Sequence, residues 1–318
     1  MNVYSTGAEH GKHTIVGLAG MAVESFPIVT AALNERLGKE NTLVYPDRAG
    51  YGFSDDSFKS QSLEQVVEDY RTALKKAGFT APYVLMGHSY GSYYALWWQM
   101  HYPDEVEAIV FLDGTWLEKN DLWVSWTIDE YPSESAAYAD ARRYFLRSWL
   151  GLDRLFPEEA QTTEGRYGKA FFSEEQLAQW ELTDYPEYSA AMISELANER
   201  EAARALREIL KPTDTPKLYF STMPTCEADI REYLEFQNAD IIASGKTPKL
   251  NPEAAAKAEW KDLDWYYQDI YKNELGYFAD CVGNCKIVPI GGDHGLFFAQ
   301  KPDEVANEIL DFLAETTE

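Results

Sequence analysis

The sequence predicts an α/β protein, a doubly wound and mostly parallel β-sheet interrupted by a helical insertion. Three observations predict it. Short apolar runs alternate with helically periodic segments over the first third of the 318 residues. The alternation stops after Thr115 and resumes near residue 212. The last segment is an amphipathic helix, which suits the outer layer of such a sheet.

In chain order, TIVGLA at 14–19, LVYP at 43–46, YVLMG at 83–87 and EAIVFL at 107–112 are short, continuous apolar runs, several rich in β-branched residues. Strands of a parallel sheet are buried on both faces, so they read as unbroken runs rather than as alternation. The segments around 26–37 and 62–77 and from Tyr90 to His101 carry apolar residues at helical spacing, which completes βαβ units. From 116 to 211 the chain turns charged, aromatic and helical. Its clearest helix is EYSAAMISELANEREAARALREIL, with Leu182, Tyr185, Met192 and Leu196 taken as part of its apolar content. Strand character returns at KLYFST, 217–222, and again at KIVPI, 286–290, after an irregular stretch containing Trp260, Trp265, Tyr266 and Tyr267. In PDEVANEILDFLAE, Val305, Ile309, Leu310, Phe312 and Leu313 sit at helical spacing. The expected division is a core of 1–115 and 212–318 with an insertion at 116–211.

Composition narrows the function. Acidic residues outnumber basic ones 53 to 28, a net charge of -25, which repels phosphate backbones and anionic lipid headgroups. Nucleic acid and membrane surfaces are therefore not expected partners; a small-molecule substrate is, and the charge itself reads first as solubility, with a preference for neutral or cationic substrates as the sharper alternative. Cys226, Cys281 and Cys285 are too few for a disulfide framework, and CVGNC has no neighbouring Cys or His at metal-ligand spacing, so ordinary thiols are expected. No apolar run reaches the ~18 residues of a membrane span. The start, MNVYSTGAEHGKH, lacks a basic stretch followed by an apolar one, so a cytoplasmic location is expected. Nothing in the pattern sets an oligomeric state.

Gly87-His88-Ser89-Tyr90-Gly91 matches G-x-S-x-G. Three fixed residues recur by chance in roughly one chain in ten of this length, so the setting carries the weight. The motif follows the apolar run YVLM and precedes the helical GSYYALWWQMH, the strand–turn–helix that a nucleophile elbow requires. Small flanking residues let strand and helix approach, and the serine stands at a helix N-terminus, where free N–H groups favour developing negative charge. A serine needs a base. Of His10, His13, His88, His101 and His294, only His294 follows the last predicted strand in a loop, GGDHG, at the carboxyl edge of the sheet, where sites of open α/β sheets lie. His88 is within the elbow, with its side chain expected to point away from that of Ser89.

With these motifs the chain resembles the α/β-hydrolase superfamily. GLAGMAVES at 17–25, YPDRAGYGFSD at 45–55, GHSYGS at 87–92 and GGDHGLFFAQKPDEVANEILDFL at 291–313 carry the resemblance and frame nearly the whole core. The first is loose, because Leu18-Ala19-Gly20 replaces the usual histidine before glycine. The resemblance implies backbone N–H groups of Tyr90 and Met21 as the oxyanion hole. It also implies that Asp47 and Arg48 shape a loop and do not react. The family order of serine, acid, histidine leaves two places for the acid: Asp113 at the end of EAIVFLD, or Glu227 and Asp229 after KLYFST, where Thr225 occupies the commoner position. Asp113 is taken as the expected member. The implied activity is a carboxylesterase-like serine hydrolase acting through an acyl-enzyme, with no metal or organic cofactor called for.

Residues 116–211 fall where the family carries a helical cap. Trp116, Trp123, Trp126, Trp149, Phe171, Phe172 and Trp180 are expected mainly to hold its helices together. The alternative is an iminopeptidase-like enzyme, which needs a cap carboxylate such as Glu130, Glu134 or Glu195 for a substrate amine. A receptor that binds without turnover is a further alternative on the same fold.

Overall fold

The structure is a computed structural model that describes residues 1–23, 25–117, 142, 146–147, 149–156, 168–183 and 189–316. The expected sheet is present. Seven strands, β1 (Val3–Gly7), β2 (Thr14–Leu18), β3 (Thr42–Pro46), β4 (Tyr83–His88), β5 (Val106–Leu112), β6 (Lys217–Ser221) and β7 (Cys285–Pro289), lie in the order β1-β3-β2-β4-β5-β6-β7. All neighbours run parallel except β1, which pairs antiparallel with β3.

Alternate residues of the central strands feed two cores. Val16, Leu18, Leu85, Ile109 and Phe111 face the helices Leu63–Ala77, Gly91–His101 and Lys272–Val282. Ile15, Val84, Met86, Val110 and Leu112 face the other side, with Leu33, Leu37, Val305, Ile309 and Phe312. Each fully buried large apolar side chain contributes about 1.5–3 kcal/mol, so a one-residue slip in any central strand would forfeit both layers together.

Between β5 and β6 no strand occurs among the described residues. The helices Leu152–Leu155, Glu174–Thr183 and Ala190–Ile209 lie there. Leu182, expected on the longest of these helices, belongs instead to the preceding one and is largely exposed, while Tyr185 lies outside the described residues. Phe172 and Trp180, edge to face at 5.5 Å, pack into the same core as Leu296, Phe297 and Phe298. Phe171 meets Phe236 at 5.7 Å and Trp116 meets Tyr271 at 5.2 Å. Among the described residues, then, Phe172 and Trp180 pair within the segment as expected, and these rings also fasten it to the rest of the chain. Trp149 is 73% exposed, and Trp123 and Trp126 lie outside the described residues.

A second helical excursion separates β6 from β7. Glu227–Ala243 and Pro252–Tyr266 pack on each other around Ile230, Leu234 and Ala256, and a π turn at Tyr267–Tyr271 leads into Lys272–Val282. No helix among the described residues is long and apolar enough to cross a membrane.

Candidate active site

Ser89 follows the end of the central strand β4 with a backbone φ of +49°, a left-handed conformation that a non-glycine residue adopts only when its surroundings enforce it. The glycines around it are sterically required. A Cβ on Gly91 would stand 2.1 Å from the Leu18 carbonyl oxygen, and one on Gly87 would stand 2.9 Å from the Gly91 carbonyl carbon. The tight strand–helix approach then aims the N-terminus of the helix Gly91–His101 at the space beside Ser89.

Asp113 follows β5 with the same inverted backbone, φ +49°. Its carboxylate is held from one side by Thr222, whose N–H donates to Oδ1 at 3.1 Å and whose hydroxyl donates to Oδ2 at 2.5 Å. On the other side His294 Nδ1 lies 2.6 Å from Oδ2. The carboxylate accepts, so the proton sits on Nδ1 and Nε2 is left with its lone pair in neutral imidazole. Burial pulls the His294 pKa down, but the hydrogen bond and charge of Asp113, aided by Asp293, outweigh it and hold the pKa above the ordinary histidine value. The ring is 54% exposed, open to a reactant.

Ser89, Asp113 and His294 line one cavity of about 480 Å³. Its walls come from the ends of four strands and from the second excursion, through Asp229, Tyr233 and Tyr271. Its ionisable side chains include the carboxylates of Asp113, Asp229 and Asp293, with no Lys or Arg among the described lining residues. Glu227 and Asp229, the other acid candidates, begin the helix Glu227–Ala243. Asp229 accepts from the N–H and hydroxyl of Thr225 at 2.7 and 2.8 Å. Only Asp113 among the three is in contact with His294.

The loop at 19–22 passes against the nucleophile: a Cβ on Gly20 would lie 3.0 Å from Ser89 Cβ and 2.9 Å from His88 Nδ1. The N–H groups of Tyr90 and Met21 take no acceptor among the described residues. Neither residue lines the cavity wall itself.

His10 and His13 are remote from this cavity; His13 pairs with Glu107 at 2.8 Å. His101 stacks on Trp97. His88 does more than expected. Its buried ring lies 4.9 Å from the His294 ring, between Phe26 and Phe298, and its Nε2–H donates to the His294 carbonyl at 3.0 Å. Burial above all, with the charge of His294, pushes its pKa down to about 3, so it stays neutral and braces the histidine loop. Thr222 and His88 were not legible as site residues, since their roles lie in contacts between distant loops. The three cysteines are free, and among the described residues no group of three or more His, Cys, Asp or Glu is gathered as for a metal ion.

Asp47 and Arg48 shape a loop, as expected. Asp47 accepts from the Asn2 side chain and the Phe53 N–H. Arg48 is buried and pairs with Glu195. Glu130 and Glu134 lie outside the described residues.

A family model described as "Alpha/beta hydrolase family" matches residues 10–308. The "Uncharacterized protein YbdG" of Bacillus subtilis (strain 168) is 27% identical over 219 residues, which make 69% of this chain and 64% of that one. The "Uncharacterized protein C23C11.06c" of Schizosaccharomyces pombe is 29% identical over 113 residues, 35% of this chain and 19% of that one. The chain thus spans less than two thirds of either relative. Among solved structures, a Bacillus megaterium epoxide hydrolase superposes with a TM-score of 0.60 at 15% identity, covering 98% of this chain and 96% of its own. A thermophilic esterase from Thermogutta terrifontis gives 0.58 at 16%, covering 99% and 93%. At such identities the likeness shows the fold alone. The chain belongs to the alpha/beta hydrolase family.

Proposed function

We propose that the protein is a serine hydrolase that cleaves an ester or related acyl bond of a small molecule through an acyl-enzyme. The observation that carries this reading is the 2.6 Å contact of His294 Nδ1 with Asp113, at a cavity that Ser89 also lines. Asp113 fixes the tautomer, so Nε2 of His294 takes the Ser89 proton as Oγ attacks the carbonyl carbon. The carbonyl oxygen gains the negative charge and is met by the N–H groups of Tyr90 and Met21. The intermediate collapses as His294 protonates the leaving group, and water deacylates Ser89 with His294 again as base. The resemblance to the superfamily implies an aspartate nucleophile for dehalogenase and epoxide hydrolase chemistry, so Ser89 argues against both.

In this reading residues 116–211 form a helical cap on a core of 1–115 and 212–318. The carboxylate lining of the cavity favours neutral or cationic substrates over anionic ones. The iminopeptidase alternative loses one of its carboxylates, because Glu195 is spent on Arg48, Tyr51 and Tyr94 and is buried. The test is hydrolysis of a panel of small esters and aminoacyl amides by the parent protein and by Ser89→Ala. Loss of turnover by at least about 10³-fold in the variant supports the reading, and full retention overturns it.

A further inference from the structure

Glu195, on the helix Ala190–Ile209, does not line the cavity and has no part in the chemistry above. It is nevertheless 1% exposed, against an Arg48 that is 2% exposed, with Arg48 Nε 2.9 Å from Glu195 Oε1. A charge that deep is tolerated only when it is matched and hydrogen-bonded. The Tyr51 and Tyr94 hydroxyls donate to the Glu195 carboxylate. The Arg48 guanidinium donates to the carbonyls of Ala19 at 2.6 Å and Gly20 at 2.8 Å and lies over the Tyr51 ring, 3.9 Å from its centre. Tyr51 in turn accepts the Ala22 N–H at 3.2 Å.

These bonds fall on both sides of Met21. The Gly20 carbonyl and the Met21 N–H belong to one planar trans peptide, so pinning the oxygen fixes the opposite direction of the N–H. The next peptide is pinned through the Ala22 N–H. The helix that carries Glu195 is itself docked on the same loop region: Asp56 accepts from the N–H groups of Ala190 and Ala191 at 2.9 and 3.0 Å, and the Gln61 N–H donates to Ser194 Oγ at 3.0 Å.

We infer that Glu195 is a positioning residue which, through Arg48 and Tyr51, clamps the two peptides flanking Met21 and so orients the second oxyanion donor. The inference rests on the acyl-transfer reading above. It gives the inserted helix a part in catalysis without contact to substrate.

The experiment compares the parent with Glu195→Gln and Tyr51→Phe. Because Glu195→Gln strands a guanidinium in a dry site, Tyr51→Phe, which removes one hydroxyl, is the second variant. Three readouts are taken: amide hydrogen exchange across residues 17–23, the rate of Ser89 labelling by a fluorophosphonate, and kcat and KM on an ester that the parent hydrolyses. The expected result is exchange at least about 10-fold faster at Ala22, whose N–H donates to the Tyr51 hydroxyl. Labelling and kcat fall about 10–100-fold with KM within about 2-fold, somewhat less than the loss of a whole oxyanion donor. The apparent pKa of His294 stays put. A folded Tyr51→Phe with parental exchange, or with faster exchange but parental labelling and kcat, overturns the inference alone. A parent protein that is never labelled at Ser89 overturns the acyl-transfer reading first.

Discussion

Asp113→Asn separates the geometry of the site from its charge. Thr222 determines which way the new amide faces. Its N–H donates to Oδ1 at 3.1 Å, so the amide oxygen of the variant settles there. The NH2 group then takes the place of Oδ2, which in the parent faces His294 Nδ1 at 2.6 Å. An NH2 group donates, so Nδ1 must become the acceptor and the imidazole proton moves to Nε2. On the proposed mechanism Nε2 then has no lone pair to take the Ser89 proton. Such a tautomer error costs about 10⁴-fold in kcat, which is about 5.4 kcal/mol at about 1.36 kcal/mol per decade. The fold should persist, since the change is isosteric: the Thr222 N–H bond keeps its direction, and the two bonds at the Oδ2 position reverse onto the Thr222 hydroxyl and His294 Nδ1, both of which can accept. The assay is the second-order rate of fluorophosphonate labelling at Ser89 beside ester turnover, with thermal unfolding as a control. Asp229→Asn and Glu227→Gln should stay within about 3-fold of the parent, because neither carboxylate touches His294. A folded Asp113→Asn that keeps a tenth of the labelling rate, or an Asp229→Asn that loses it, refutes the reasoning.

Further outcomes are expected. If His294 is the base proposed above it acts when neutral, and its pKa is held above the ordinary value, so kcat/KM should rise with pH to a plateau, with a midpoint above that of a free histidine. The residual activity of Asp113→Asn should titrate lower, since burial then acts without the carboxylate; equal midpoints would contradict this. His88 has a folded pKa of about 3, below its unfolded value, so the stability it contributes is complete above the unfolded pKa and is lost as pH falls towards 3. Between pH 7.5 and 4.5 this amounts to about 3 kcal/mol, and urea midpoints should fall more steeply with acid in the parent than in His88→Gln. Gly91→Ala should yield little folded protein, because its Cβ would stand 2.1 Å from the Leu18 carbonyl oxygen; a parental melting temperature would contradict the close approach. Among matched esters, one ending in a carboxylate should show kcat/KM at least about 10-fold below its neutral isostere, and equal values would remove the electrostatic argument.

The legible parts of the molecule are those whose physics is local. The central strands announce themselves because both faces are buried, and the elbow because its glycines and the flanking strand and helix are consecutive. β1 was hidden by its edge position: with three of its five residues exposed and the other two half-buried, Val3–Gly7 shows no apolar run. The choice among Asp113, Glu227 and Asp229 depends on where two strand ends stand relative to a third, which spacing does not encode. The same holds for Thr222 and His88, and for Glu195, whose partner Arg48 is 147 residues away. The second excursion read only as an irregular aromatic stretch, yet it supplies Asp229, Tyr233 and Tyr271 to the cavity wall.

The most direct test of the central claim is fluorophosphonate treatment of the purified protein, with the adduct mapped by mass spectrometry. An activated serine reacts whatever its natural substrate. The account predicts a single adduct at Ser89 that disappears in His294→Ala. A folded protein that remains unlabelled, or one labelled at Ser89 equally well without His294, would contradict it.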